Sequence, residues 1–294
     1  MILITDSATD LPKKYCKDWN IPVIPTPVLI GGRDYRDGET IDAEEFYRIQ
    51  TEGKEEIKTY HISPDMFEQA FRPYAERGEQ VLYLCFSTGI AGTFNAANLA
   101  LSNLREEFPD FDLEIFDSRC ASAGFGLLVY YIAKLYLKGA DRKLLLEAAA
   151  YYRDHIRHIF TVETLEYLIR GGRISRTKGN VAQVLDIKPV LTVNREGALE
   201  IYQLVRGRKK SLRALADFAH REGVDLENQT VAVCHGMDLE AAKEVIRQLG
   251  TLNQDPLISV VGCAIGAHTG KGMIGVCFLD AEDPYRDWKP EGRE

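Results

Sequence analysis

The stretch Val81-Leu82-Tyr83-Leu84-Cys85-Phe86-Ser87-Thr88-Gly89-Ile90-Ala91-Gly92-Thr93 begins as an unbroken apolar run and ends in hydroxyls and glycines. Helical periodicity follows over residues 91–107. A short continuous apolar run closed by turn residues is the pattern of a strand buried on both faces. The same order recurs on either side. Ile2-Leu3-Ile4 stops at Thr5-Asp6-Ser7, and Leu113-Glu114-Ile115-Phe116 stops at Asp117-Ser118-Arg119. Further helices are predicted over 121–137 and 144–158, and Ser63-Pro64-Asp65, with Ser as cap and Pro in the first turn, opens another over 64–77. Strand, loop and helix in repetition predict a parallel sheet flanked by helices.

The second half has a different grammar. A short helix over 164–170 stops at Gly171-Gly172, and strands over 188–193 and 199–205 are joined by Asn194-Arg195-Glu196-Gly197, a hairpin loop with the glycine its backbone needs. Helices over 211–222 and 239–249 alternate with strands over 230–234, 257–263 and 273–279. The expected fold class is α/β in two domains: an N-terminal parallel sheet flanked by helices over 1–158, with carboxylate-binding loops, and a C-terminal mixed-sheet α/β domain over 159–290.

Composition narrows the function classes. The 294 residues carry 36 basic and 44 acidic side chains, a net charge of −8, which argues against general nucleic-acid binding. Six cysteines form no C-x-x-C pair, and most sit in apolar runs, the habit of small buried hydrophobes in a reducing compartment. No run approaches the roughly 18–20 apolar residues of a membrane span, and the start of the chain lacks the pattern of a signal peptide. The expected location is the cytoplasm, without stable membrane insertion, cofactor or metal.

Ligands of open parallel sheets bind beyond the carboxyl ends of the strands. Three loops answer: Thr5-Asp6-Ser7, the segment 87–93, and Asp117-Ser118. The middle one offers hydroxyls and free N–H groups before a helix N-terminus, a place for a carboxylate or phosphate, although a plain capped turn has the same composition. Arg170-Gly171-Gly172-Arg173 lets backbone and guanidinium approach a partner closely; a helix C-cap between two solvated arginines is the plainer reading. Arg206-Gly207-Arg208-Lys209-Lys210 is either a solvated loop or a contact for an acidic partner. Gly266-Ala267-His268-Thr269-Gly270-Lys271-Gly272 is either a tight turn or a loop that holds a histidine against a charged ligand. His61 counts as a surface histidine. Gly270 to Gly275 fits G-x-G-x-x-G but runs into an apolar strand rather than a helix, and no segment supplies a P-loop. A Ser87, His268, Asp117 triad can be written down, but its geometry is not legible in sequence.

In order and spacing, Thr5-Asp6-Ser7-Ala8-Thr9-Asp10-Leu11, Lys58-Thr59 before Ser63-Pro64, the 87–93 loop, Asp117-Ser118, Leu168-Ile169-Arg170-Gly171-Gly172-Arg173-Ile174-Ser175 and Gly266-Ala267-His268-Thr269-Gly270 resemble the DegV family of bacterial fatty-acid-binding proteins, over nearly the whole chain. The resemblance implies one long-chain fatty acid in a tunnel near the domain junction. It also implies a separate kinase subunit that binds ATP and magnesium and phosphorylates the presented carboxylate to an acyl phosphate for phospholipid synthesis. Thr59 matches the threonine that binds the carboxylate. The family's second ligand, a serine of a Ser-Gly-Thr element, is replaced by Ala91 in Ala91-Gly92-Thr93, and Thr59-Tyr60-His61-Ile62-Ser63 replaces Thr-Ser-Gln-Pro-Ser.

The implied fatty-acid-binding set is therefore Thr59, Tyr60, Thr88, Gly89, Ala91, Gly92, Thr93, His268 and Thr269. Arg170, Arg173 and Arg206 match positions near the head group or the kinase-facing surface. Leu127, Leu128, Tyr131 and Ile132 are either tunnel wall or ordinary core. The leading expectation is a carrier without catalytic apparatus of its own. Two alternatives remain: a self-sufficient esterase or phosphotransferase using Ser87 or Thr88 with His268, and a regulatory protein that senses a lipid.

Overall fold

The computed structural model describes residues 1–175 and 186–290. Strand β1 (Ile2–Asp6), β2 (Val23–Ile24), β6 (Val81–Cys85) and β7 (Leu113–Asp117) form a sheet of order β2-β1-β6-β7, with every pair parallel. All five β6 residues are buried, as a strand covered on both faces requires. Alternate side chains face opposite layers. Ile4, Val81, Tyr83 and Cys85 pack against α3 (Pro64–Glu76) and α4 (Thr93–Glu107). Leu3, Leu82 and Leu84 pack against α5 (Ser122–Leu137).

The central element is α5. It is apolar almost all round, and a helix of that kind must be covered on all sides. Its second neighbour is a six-stranded mixed sheet built from β8 (Ile156–Thr161), β9 (Ile187–Val193), β10 (Leu199–Arg206), β11 (Ala232–His235), β12 (Leu257–Val260) and β13 (Ile274–Leu279). The order is β10-β9-β8-β13-β11-β12; β11 and β12 pair in parallel, the other neighbours antiparallel. The far face of this sheet is covered by α8 (Arg208–Glu222) and α9 (Leu239–Leu249). Leu127, Leu128, Tyr131 and Ile132 all lie in the core around α5.

A third, smaller layer has no counterpart in the sequence reading. Strands β3 (Pro27–Ile30), β4 (Arg33–Arg36) and β5 (Ile57–Thr59) make an antiparallel sheet of order β4-β3-β5. It packs with α2 (Ala43–Glu52) and with α10 (Cys263–Thr269).

Three boundaries differ from expectation. The helix predicted over 144–158 is α6 (Arg142–His155) and gives way to β8, so the expected domain boundary at 158 falls inside a strand that pairs with β9 and β13. The strand predicted to run to Cys263 ends at Val260, and Cys263 instead opens α10. The reason is long-range. Asp10 accepts the N–H of Gly262, and Asp37 accepts those of Cys263 and Ala264, so two distant carboxylates satisfy the first N–H groups of this helix. Consequently Gly266 to Thr269, read as a glycine loop, is helical.

Candidate functional site

The carboxyl ends of β1, β6 and β7 meet at one rim. Buried Asp6 ties two of them together, accepting from the Tyr83 hydroxyl (2.8 Å) and from the N–H groups of Phe86 (3.2 Å) and Ala8 (3.1 Å). Burial pushes its carboxyl up to about 6. Beside this rim a cavity runs between the start of α5, the six-stranded sheet and α10, with Ala123, Phe160, Cys234 and Cys277 on its inner walls. The empty space of this channel is about 910 Å³, solvent at its mouth included. Its lining is predominantly apolar.

Three of the polar groups on the wall lie together, those of Thr59, His268 and Arg173. Strand β5 brings Thr59, whose Oγ1 lies 2.6 Å from Nε2 of His268 on α10. Burial, with the nearby guanidinium groups of Arg173 and Arg170, pushes His268 down to about 4, so its imidazole is neutral near pH 7. If Nε2–H donates to Thr59, the threonine hydroxyl hydrogen is free to donate to a ligand. Gly171 makes the arrangement possible: a Cβ there would sit 2.0 Å from His268 Nδ1. Arg173, two residues on, lines the cavity and donates to the Gly171 carbonyl (2.6 Å). Its Nε is buried without a partner among the described residues, and burial lowers its pKa.

Of the expected residues, Thr59, Tyr60, Ala91, Thr93, Arg173, His268 and Thr269 line the cavity. Gly92 lies between two lining residues as the cap of α4, with no side-chain hydrogen bond to that cap. Thr88 is exposed and bound to Asp117, its hydroxyl at 2.6 Å. Gly89 packs against the backbone of Glu196-Gly197-Ala198, the β9–β10 hairpin loop. Arg170 is exposed with its guanidinium over the Tyr167 ring, and Arg206 is exposed at the end of β10. Its neighbour Arg208 is spent internally, on Glu163, Asp238 and the Gly272 carbonyl. The written triad does not form: Ser87 is fully buried and donates to the Gly197 carbonyl, Asp117 holds Thr88, and His268 holds Thr59.

Sequence reasoning missed His158, which lines the channel with its Nε2 accepting the Ala121 N–H at 3.3 Å. Burial, helped by Arg157, pushes it down to about 4. Phe160, Cys234, Gly275 and Cys277 were also missed as wall residues; their apolar strand pattern is that of any core position. His61, taken as a surface residue, lines the cavity as well. Among the described residues no cluster of His, Cys, Asp and Glu is placed to hold a metal, and no helix is long and apolar enough to cross a membrane.

Comparison with known proteins agrees with this architecture. The profile of the DegV family, described as uncharacterised proteins, matches residues 1–281. A DegV domain-containing protein of Clostridium perfringens is 37% identical over 291 residues, covering 96% of this chain and 99% of the relative. A Thermus thermophilus DegV family protein, solved for its fatty acid binding, superposes with a TM-score of 0.83 at 28% identity, covering 95% of this chain and 99% of its own. A stearic acid-binding protein from Eubacterium ventriosum gives 0.84 at 26% identity, covering 94% and 97%. On its sequence and its fold, the chain belongs to the DegV family.

Proposed function

We propose that this protein binds a long-chain fatty acid in the channel and presents its carboxylate to a separate ATP-dependent kinase subunit, which converts it to an acyl phosphate for phospholipid synthesis. One observation carries the reading: a half-buried Arg173 guanidinium, its Nε without a partner among the described residues, stands beside the Thr59–His268 pair on a predominantly apolar channel. A desolvated cation without a counter-charge is costly, and a carboxylate would complete it. The hydrocarbon has its own driving force, about 0.8 kcal/mol per buried CH₂, or about 12 kcal/mol for roughly 15 methylenes before ordering costs. The solved relatives that bind fatty acids support the same ligand class.

The chain's part is to solvate one end of the ligand and hide the other. Thr59 and Arg173 face the charge, the neutral His268 orients Thr59, and the apolar wall excludes water. Arg206, exposed and away from the wall, is assigned to the surface that meets the kinase. The protein is mixed with palmitate, ATP, magnesium and a bacterial fatty acid kinase subunit, and acyl phosphate is trapped with hydroxylamine. Hydroxamate that requires this protein, and that falls in Arg206→Ala while palmitate affinity is kept, is the expected result. No hydroxamate above the kinase-only control would overturn the kinase assignment.

A further inference from the structure

The head-group region has two sides of unequal chemistry. On the β5 side stand the Thr59 hydroxyl, His268 and Arg173. The start of α4 also lines the cavity; there Ala91 contributes only a methyl, Gly92 caps the helix without a side chain, and Thr93 brings a single hydroxyl. A carboxylate has about four acceptor positions, and one held from a single side keeps several unsatisfied away from bulk water.

One side chain with N–H donors reaches the α4 side. His61 lines the cavity, and its ring atoms Nδ1 and Cε1 lie 3.6 Å from where a Cβ on Gly92 would stand. The imidazole therefore lies over the cap of α4, next to Ala91 and within the mouth. Its backbone is held from both directions. The Tyr60 hydroxyl donates to Asp34 (2.6 Å), Ile62 is buried at 1% exposure, and Ser63 caps α3 by accepting the Met66 N–H. Short anchors on both neighbours keep an exposed side chain aimed at one place, which is the requirement for a ligand-facing donor.

We propose that His61 is a further side-chain donor to the ligand carboxylate, supplying from the β5–α3 loop what the wall at Ala91 lacks, and so fixing the preference of this site for a free acid over a neutral head group. The inference rests on the fatty-acid reading above and names a residue that the reading does not.

The test measures palmitate and hexadecanol binding to delipidated protein for four forms: unsubstituted, His61→Ala, His61→Gln, and His61→Ala combined with Ala91→Ser. The two ligands share the hydrocarbon and differ in the charged end. We expect His61→Ala to weaken palmitate about tenfold or more, the scale of one hydrogen bond to a charged group, with hexadecanol changed less than twofold. His61→Gln, which keeps an N–H donor, should hold palmitate affinity closer to the unsubstituted protein, and Ala91→Ser should restore much of what His61→Ala loses. Equal losses for both ligands would show that His61 only closes the mouth, and unchanged palmitate affinity would show that it does not touch the head group; either result overturns the proposal. Unsubstituted protein that binds neither ligand would instead remove the fatty-acid reading itself.

Discussion

The smallest unit that decides ligand affinity here is a hydroxyl. Thr59 Oγ1 has His268 Nε2 at 2.6 Å, and a neutral imidazole can take the donor role and leave the threonine hydrogen for a carboxylate. Thr59→Val keeps the shape and removes that hydrogen. Palmitate affinity should fall about tenfold or more, read by titration calorimetry; an unchanged value places the carboxylate elsewhere. Gly171 tests the same pair from behind. Its φ of −76° suits any residue, so Gly171→Ala acts mainly through a Cβ 2.0 Å from His268 Nδ1, with the Tyr167 carbonyl next at 3.2 Å. The imidazole must then move off Thr59. We expect a shifted His268 ring resonance by NMR and weaker palmitate binding, with little loss of thermal stability. A His268 environment that does not change would contradict the assignment of Gly171 as the space for this ring.

At the scale of elements, α10 is the most instructive. Its first N–H groups are taken by Asp10 and Asp37, more than 220 residues earlier in the chain, and its far end delivers His268. Asp10 also accepts the Ser122 hydroxyl at 2.5 Å, which ties α10 to the start of α5. Burial pushes Asp10 up to about 8 and raises Asp37. A carboxyl whose pKa is higher folded than unfolded binds a proton more readily in the native state, so stability rises as pH falls from about 8 towards 6.5. The gain approaches about 1.4 kcal/mol per pH unit for one proton held fully by the folded state alone. Below about 6.5 the buried His158 and His268, both pushed down to about 4, oppose it, because the unfolded chain then takes up protons that the fold refuses. Urea unfolding at the two pH values should show this rise, and Asp10→Asn should flatten it. An equal rise in the variant would remove Asp10 as its source.

The same element shows why some of the fold was legible and some not. The β1, β6 and β7 units could be read because their strands are short, mostly apolar runs that end in hydroxyl, aspartate or glycine loops, all local signals. Helix α10 could not, because its caps are remote and its own sequence is rich in glycine and alanine. The sheet of β3, β4 and β5 escaped because its strands are only three or four residues long, too short for their alternation to stand out, as in Ile57-Lys58-Thr59. At the site, Thr93, Arg173 and His268 were accessible through loop chemistry and Thr59 only through the family resemblance, whereas Cys277 and Phe160 carry no mark that separates a cavity wall from a core.

Over the whole molecule, function depends on the space between α5 and the two larger sheets. Ala123, 3% exposed, stands where α5 enters that space. Ala123→Leu adds three carbons to the wall and should shorten the hydrocarbon the channel accepts. Stearate should weaken more than laurate, by about fourfold for each methylene excluded, while the melting temperature checks that overpacking has not unfolded the protein. Equal effects on the two acids would mean that the chain does not extend past α5.

The most direct measurement is denaturing extraction of the purified, unsubstituted protein followed by mass spectrometry of the organic phase. The expected result is a long-chain fatty acid near one equivalent per chain, taken up again when palmitate is added to stripped protein. Extracts free of fatty acid, together with no uptake of added palmitate, would contradict it.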